Sequence, residues 1–352
     1  MVVIGRECAG GPTTRLGHYR ARDGSHGAAV DLDVDRPHVG LVVGKRGSGK
    51  TYTLGVLAEG LMTAAGVAPV VVDPMGAFVP LGTADVPATV VDPCVRADAL
   101  DPRQWCTALG LDPEQGAGAL VWQAASDRGT LDGMREEVTD ANAADGVRRA
   151  AANHLALAAS WDVFGPDGIE AATLCSDDLT VLDTSGLDPR PAGVVLAAVA
   201  TALYDARIAS RTDRLPWLLV DESHAFTGGV ASRPLRRLVT RGRQPGVSCM
   251  LATQRPSAVP ATIISQADLF VAHRLTSTAD IDALQAAQPT YLDGDFAARL
   301  PSKTGEALVV DDGTESVHHV TVRERRTPHG GQSPRASDQT AGDAETCADG
   351  GF

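Results

Sequence analysis

Residues 44–51 read Gly-Lys-Arg-Gly-Ser-Gly-Lys-Thr, filling every fixed position of the pattern G-x-x-x-x-G-K-[ST]. In that pattern the glycines let successive backbone N–H groups curl round a phosphate. The lysine reaches the β- and γ-phosphates of a nucleoside triphosphate, and the hydroxyl takes a place on Mg²⁺. Gly44, Lys45, Arg46, Gly47, Ser48 and Gly49 would form the cradle, with Lys50 on the phosphates and Thr51 on the metal. The chain has 3 lysines against 28 arginines, and two of the three lie in this loop. Lysine at position 50 is therefore hard to ascribe to composition.

A second group of chemical interest closes the run Leu215-Pro216-Trp217-Leu218-Leu219-Val220-Asp221-Glu222. Two acids after an apolar strand can divide the labour of hydrolysis: Asp221 anchors the Mg²⁺ shell and Glu222 polarises the attacking water. A pure GTPase switch has no need of the adjacent Glu222, so the pair favours ATP as the nucleotide and hydrolysis as the reaction.

The elements that must position these residues follow from the apolar pattern. His38 to Val43 is a short apolar run leading into Gly44, as expected of a central parallel strand buried on both faces. A helix is expected over Leu54 to Met62. Further strand-like runs fall at Ala68–Val72, Thr89–Val91, Leu179–Leu182, Trp217–Val220, Val247–Ala252, Leu269–Ala272 and Ala307–Val310, with helical stretches such as Ala192–Ile208 and Ile281–Ala287 between several of them. Strands alternating with helices imply an α/β fold with a mostly parallel sheet. Upstream, Val30, Leu32 and Val34 alternate with Asp31, Asp33 and Asp35, the period of a half-buried strand whose aspartates face water. Residues 1–27 read as a loose leader, 28–322 as one ATPase domain with a mainly helical insertion at 94–170, and 323–352 as a disordered acidic tail.

Composition bounds the rest. The chain has 352 residues, 43% of them apolar, enough to bury a core, and a formal net charge of −13. That charge speaks against a generic basic nucleic-acid binder. The Asp-rich, Lys-poor usage fits a GC-rich genome and the acidic surface of a halophile. Six scattered cysteines without a C-x-x-C pair read as reduced thiols. Arg6 and Glu7 interrupt any apolar leader, and the apolar run Ala192–Tyr204 is too short for a membrane span, so a cytoplasmic location is expected.

Several motifs in fixed order carry a family resemblance: Asp73-Pro74-Met75-Gly76, Asp221-Glu222-Ser223-His224-Ala225-Phe226, Arg241-Gly242-Arg243-Gln244-Pro245-Gly246-Val247, Ala252-Thr253-Gln254-Arg255-Pro256-Ser257 and Ala272-His273-Arg274-Leu275. Together they resemble HerA-type ATPases of the HerA–FtsK superfamily. The resemblance implies a RecA-like P-loop core that works as a ring, usually a hexamer, pumping double-stranded DNA. It makes Gln254 the polar sensor beside the acid-bearing strand and Arg243 the arginine finger offered to a neighbouring subunit, with Arg241 and Arg36 as rivals. A partner nuclease belongs to the same picture, although the roughly 35 residues ahead of the loop are too few for the small β-barrel that such translocases usually carry there.

Between Ser223 and Ala267 there is no Asp, Glu or Lys but six arginines: Arg233, Arg236, Arg237, Arg241, Arg243 and Arg255. Arg233, Arg237 and Arg241 share one helical face, where like charges repel unless an anion lies opposite, so an anionic partner is expected there. The leading expectation is an ATP-driven translocase or helicase on double-stranded DNA. The alternatives are an ATP-dependent switch or assembly ATPase, and a genome-packaging ATPase of viral type.

Overall fold

Runs dominated by Val, Leu and Ala favour strands because branched side chains pack well on a pleated surface covered on both faces. The structure, a computed structural model, describes residues 1–6, 10–20, 25–83, 86–287 and 296–329. Among them twelve strands form one sheet: β1 (Val2–Ile4), β2 (Thr13–Arg20), β3 (His26–Asp33), β4 (Val39–Val43), β5 (Val67–Asp73), β6 (Ala88–Val91), β7 (Leu179–Asp183), β8 (Leu215–Val220), β9 (Ser248–Thr253), β10 (Leu269–Ala272), β11 (Glu306–Asp311) and β12 (Ser316–Val322). Their order is β1-β3-β2-β12-β11-β10-β4-β9-β8-β5-β7-β6. From β10 to β6 every neighbouring pair is parallel, the α/β architecture expected from the sequence. Val43 pairs with Thr253, and Val72 with Val220. The loop after β4, the acids after β8 and the turn after β9 therefore open at one edge of the sheet, where parallel α/β sheets bind ligands.

Helices cover both faces. On one, α1 (Lys50–Leu61) buries Leu54, Leu57 and Leu61 in the same cluster as Val42, Val71, Leu219 and Met250. Most of the stretch expected as a helical insertion is α2 (Pro102–Leu109), α3 (Gly116–Asp127), α4 (Leu131–Asp140) and α5 (Asp145–Ala159), followed by the single turn α6 (Ala171–Leu174). It is started by a capping box, in which Asp101 accepts from the Gln104 N–H and the Gln104 side chain accepts from the Asp101 N–H, both at 2.7 Å. These helices share the opposite face with α7 (Pro189–Ile208) and α8 (Ser232–Arg241). Three further helices, α9 (Ala261–Ile264), α10 (Thr278–Ala286) and α11 (Phe296–Arg299), follow among the described residues. Among the described residues α7 is long and apolar enough to cross a membrane, yet its Val194, Leu196, Val199 and Leu203 lie inside the core.

Two expectations are corrected here. Residues 1–27 are not a loose leader: they supply β1, β2 and the start of β3, and Leu16 is completely buried. β2 pairs antiparallel with β3 and with β12 at the far end of the chain, a pairing that leaves no local period to read. Nor do Asp31 and Asp33 face water. Both are buried, Asp31 against Arg15 and Asp33 against Arg6 at 3.3 Å and Arg36 at 3.1 Å. His38 joins this group, with Nδ1 2.9 Å from Asp268 and Nε2 3.7 Å from Asp33. Burial alone would lower its pKa, but the two carboxylates raise it to about 9. The ring is thus a buried cation tying the antiparallel annex to the parallel core.

The tail is corrected in part. Residues 323–329 pack on α1, with Thr327 buried and Arg323 donating to Glu59 at 2.6 Å. Residues 330–352 lie outside the described residues.

Candidate active site

The phosphate loop follows directly from β4 and runs into α1, whose first helical residue is Lys50. Gly49 holds a φ of +117°, open only to glycine, and no side chain caps the helix. The first N–H groups of α1 are therefore left for a ligand, and the helix dipole favours an anion there. Gly44 is required for a different reason: a Cβ on it would lie 2.7 Å from the Cβ of His273. The loop rests on the strand next door, since the Lys45 N–H donates to the Arg274 carbonyl at 2.8 Å. His273 itself is fully buried and bridges Thr53 of α1 (2.8 Å) and the Glu306 carbonyl of β11 (2.9 Å). Burial drives its pKa down to about 4, so it is a neutral strut across the physiological range. The motif around His273 was visible in the sequence, but its support of the loop was not.

Lys50 is buried and donates from Nζ to the Lys45 carbonyl at 3.2 Å. Burial lowers its pKa, while Glu222 and Asp221 oppose that shift. Thr51 donates from Oγ1 to Asp221 Oδ2 at 2.6 Å. The two residues expected to share a metal are thus in contact, although 170 positions separate them. Asp221 is fully buried at the end of β8 and accepts the Glu222 N–H at 2.8 Å.

Glu222 has a φ of +46°, in the left-handed region that few non-glycine residues occupy. Its carboxylate borders the same cavity as Arg46, Gly47, Gly49, Lys50 and Thr51, a space of about 1120 Å³. Burial first, and the Asp221 charge second, raise its pKa, with Lys50 and Arg46 pulling the other way. One further group stands beside it: His224 Nδ1 lies 3.3 Å from Oε2 and 3.3 Å from the Thr253 hydroxyl. Gln254, the sensor implied by the resemblance, directly follows β9, the parallel neighbour of β8; nothing in the sequence gave His224 a part.

The remaining loop residues behave differently. Ser48 has a buried hydroxyl without a partner among the described residues. Asp73 shapes the turn after β5 by accepting from Met75, Ala77 and Phe78. Arg243 is not brought to the site: it precedes β9, whereas the phosphate loop follows the parallel, in-register β4. Arg241 lies at the same far edge of the sheet, as does Arg36, which is tied to Asp33. The expected external anion opposite the arginine stripe is also partly supplied from within. Arg233 pairs with Asp101 at 3.6 Å, and Arg237 pairs with Asp205 at 3.3 Å while lying over the Tyr204 ring.

Residues 15–153 match the family model described as helicase HerA, central domain. A comparison with curated proteins returned no match. Among solved structures the chain is similar to VirB4 of Thermoanaerobacter pseudethanolicus, with a TM-score of 0.72 at 16% identity over 90% of this chain and 98% of that one. It is similar also to the bacterial conjugative coupling protein TrwB lacking its N-terminal 70 residues, with a TM-score of 0.54 at 16% identity over 92% of each chain.

Proposed function

We propose that this chain, a P-loop ATPase of the HerA–FtsK superfamily, uses ATP turnover in the cytoplasm to move double-stranded DNA through a ring of like subunits, six by the usual pattern of the group. The observation that carries the reading is the contact between Thr51 and Asp221, with Glu222 and Lys50 on the same cavity, in a chain whose HerA match spans that loop. In this reading the loop from Gly44 to Thr51 cradles the phosphates with the N–H groups it does not use within the fold, and Lys50 neutralises their developing charge. The hydroxyl of Thr51 and the carboxylate of Asp221 are hard oxygen donors at the loop's mouth, the kind that suits Mg²⁺; they would hold the ion, which would supply neutralisation of phosphate charge. Glu222 accepts the proton of the attacking water, with His224 beside its carboxylate.

For the finger, Arg243 stands too far from its own loop to serve it and belongs to a neighbour's site. DNA is the proposed polymer because six exposed arginines gather in one acid-free stretch of an otherwise acidic chain.

ATP hydrolysis by the whole chain, measured with and without long linear duplex DNA over a range of salt, tests this. Stimulation that fades as salt rises is expected. Hydrolysis indifferent to DNA at every salt would overturn the translocase and leave the ATP-dependent switch.

A further inference from the structure

The cavity at the phosphate loop extends past Thr51 to Tyr52, Thr304, Val322, Glu324 and His329. The phosphates take the loop end, so the nucleoside half of a bound nucleotide has its room along this second wall. That wall is completed by the segment after β12, which supplies Glu324 and His329, crosses α1 and is tied to it. Arg323 donates to Glu59 at 2.6 Å, and the Arg326 and Thr327 N–H groups donate to the same carboxylate at 2.8 and 2.9 Å. The Arg325 N–H donates to the Tyr52 hydroxyl at 2.7 Å. The Arg325 guanidinium lies so close to Gly55 that a Cβ there would stand 2.6 Å from Cζ. Arg325 Nη1 in turn lies 3.1 Å from His329 Nδ1, and the His329 ring meets the Tyr52 ring edge-on, with centroids 5.5 Å apart.

We infer that the strap from Arg323 to His329, together with Tyr52 of α1, is the nucleobase subsite of this chain: the His329 and Tyr52 rings form the surface on which the base of the bound nucleotide stacks. The inference rests on the nucleotide-binding reading above. Tyr52 follows Thr51 directly, so its ring is placed one residue from the phosphate loop. Aromatic faces suit any base, and such stacking changes affinity by about ten-fold on removal of a ring. Burial first, and Arg325 second, lower the pKa of His329, which keeps the ring neutral at ordinary pH and its face available for stacking.

The test compares equilibrium binding of ATP and of inorganic tripolyphosphate to the full chain and its variants. His329→Ala and Tyr52→Leu should weaken ATP by about ten-fold while tripolyphosphate binding stays as in the parent, and His329→Phe, which keeps a ring, should retain ATP affinity. Unchanged ATP affinity in both ring-removing variants, or equal loss of ATP and tripolyphosphate, overturns the subsite. Lys50→Ala separates the two levels of the argument. If it leaves both ligands bound as before, the phosphate loop is not the binding site and the underlying reading fails along with the subsite.

Discussion

Glu222 adopts a left-handed backbone conformation, at a cost of about 1–3 kcal/mol for a residue with a Cβ. That conformation takes Glu222 out of the strand direction at the cavity that Lys50 also lines, while Asp221 keeps the buried position against Thr51. Neighbouring acids thus acquire different surroundings, and their expected roles diverge accordingly. Glu222→Gln keeps the shape but cannot take a proton, so the turnover number for ATP should fall by about 100-fold or more with nucleotide affinity nearly kept; turnover at the parent rate would remove Glu222 from the role of base. The pH dependence adds a sign. A base must be ionised, and the Glu222 pKa is raised by burial and then by Asp221, so activity should fall on acidification at a higher pH than an ordinary glutamate would give. Arg46 opposes that shift. Arg46→Ala should therefore move the acid limb of the rate profile further up in pH, and a limb that stays put or moves down assigns it to another group.

At the scale of elements, the strap after β12 depends on Glu59 of α1. That carboxylate is 4% exposed and receives Arg323, whose side chain is 10% exposed, together with the strap's N–H groups. Removing one partner of a buried pair leaves the other uncompensated, a loss of about 3–5 kcal/mol. Thermal or denaturant unfolding of Glu59→Ala should show a loss of that size, and Glu59→Ala combined with Arg323→Ala should cost less than the two single losses together. Additive losses would mean that the strap is held elsewhere. This element also shows where sequence reading stops. The parallel strands β4 to β10 were legible because each is an apolar run that ends at a turn, and the phosphate loop because its spacing is rigid. The strap reads as Arg-Glu-Arg-Arg followed by polar residues, and it is partners far away in the chain, Glu59 and Tyr52 of α1 among them, that seat it. Asp31 and Asp33 mislead in the same way, since alternation signals a solvated face whereas arginines and a histidine from other segments neutralise them within the fold. Local pattern records burial of apolar groups well and burial of paired charges hardly at all.

For the whole molecule, net charge is a poor guide to what the chain can meet. Six arginines stand exposed on one acid-free stretch of a chain with a formal charge of −13, and two of the six are already answered by Asp101 and Asp205. Arg243 has no ion pair among the described residues, and it stands at the sheet edge opposite its own phosphate loop. Six residues of β9 at ~3.3 Å each put roughly 20 Å between those edges, beyond the reach of an arginine side chain. If Arg243 stabilises transferred phosphate, it does so in another subunit, and a head-to-tail ring is the assembly that repeats such a contact. Mixed assemblies put this to the test. Arg243→Ala subunits keep a complete loop but offer no finger; Lys50→Ala subunits offer the finger but have no working loop. Each alone should be nearly inactive. Mixed in equal amounts they should recover part of the hydrolysis, because in a randomly mixed ring roughly a quarter of the interfaces pair an intact loop with an intact finger. Recovery that appears on mixing and vanishes on dilution below the assembly concentration would follow from action between subunits. Activity that never exceeds the sum of the two variants would place the finger elsewhere, with Arg241 and Arg36 next in line at the same edge of the sheet.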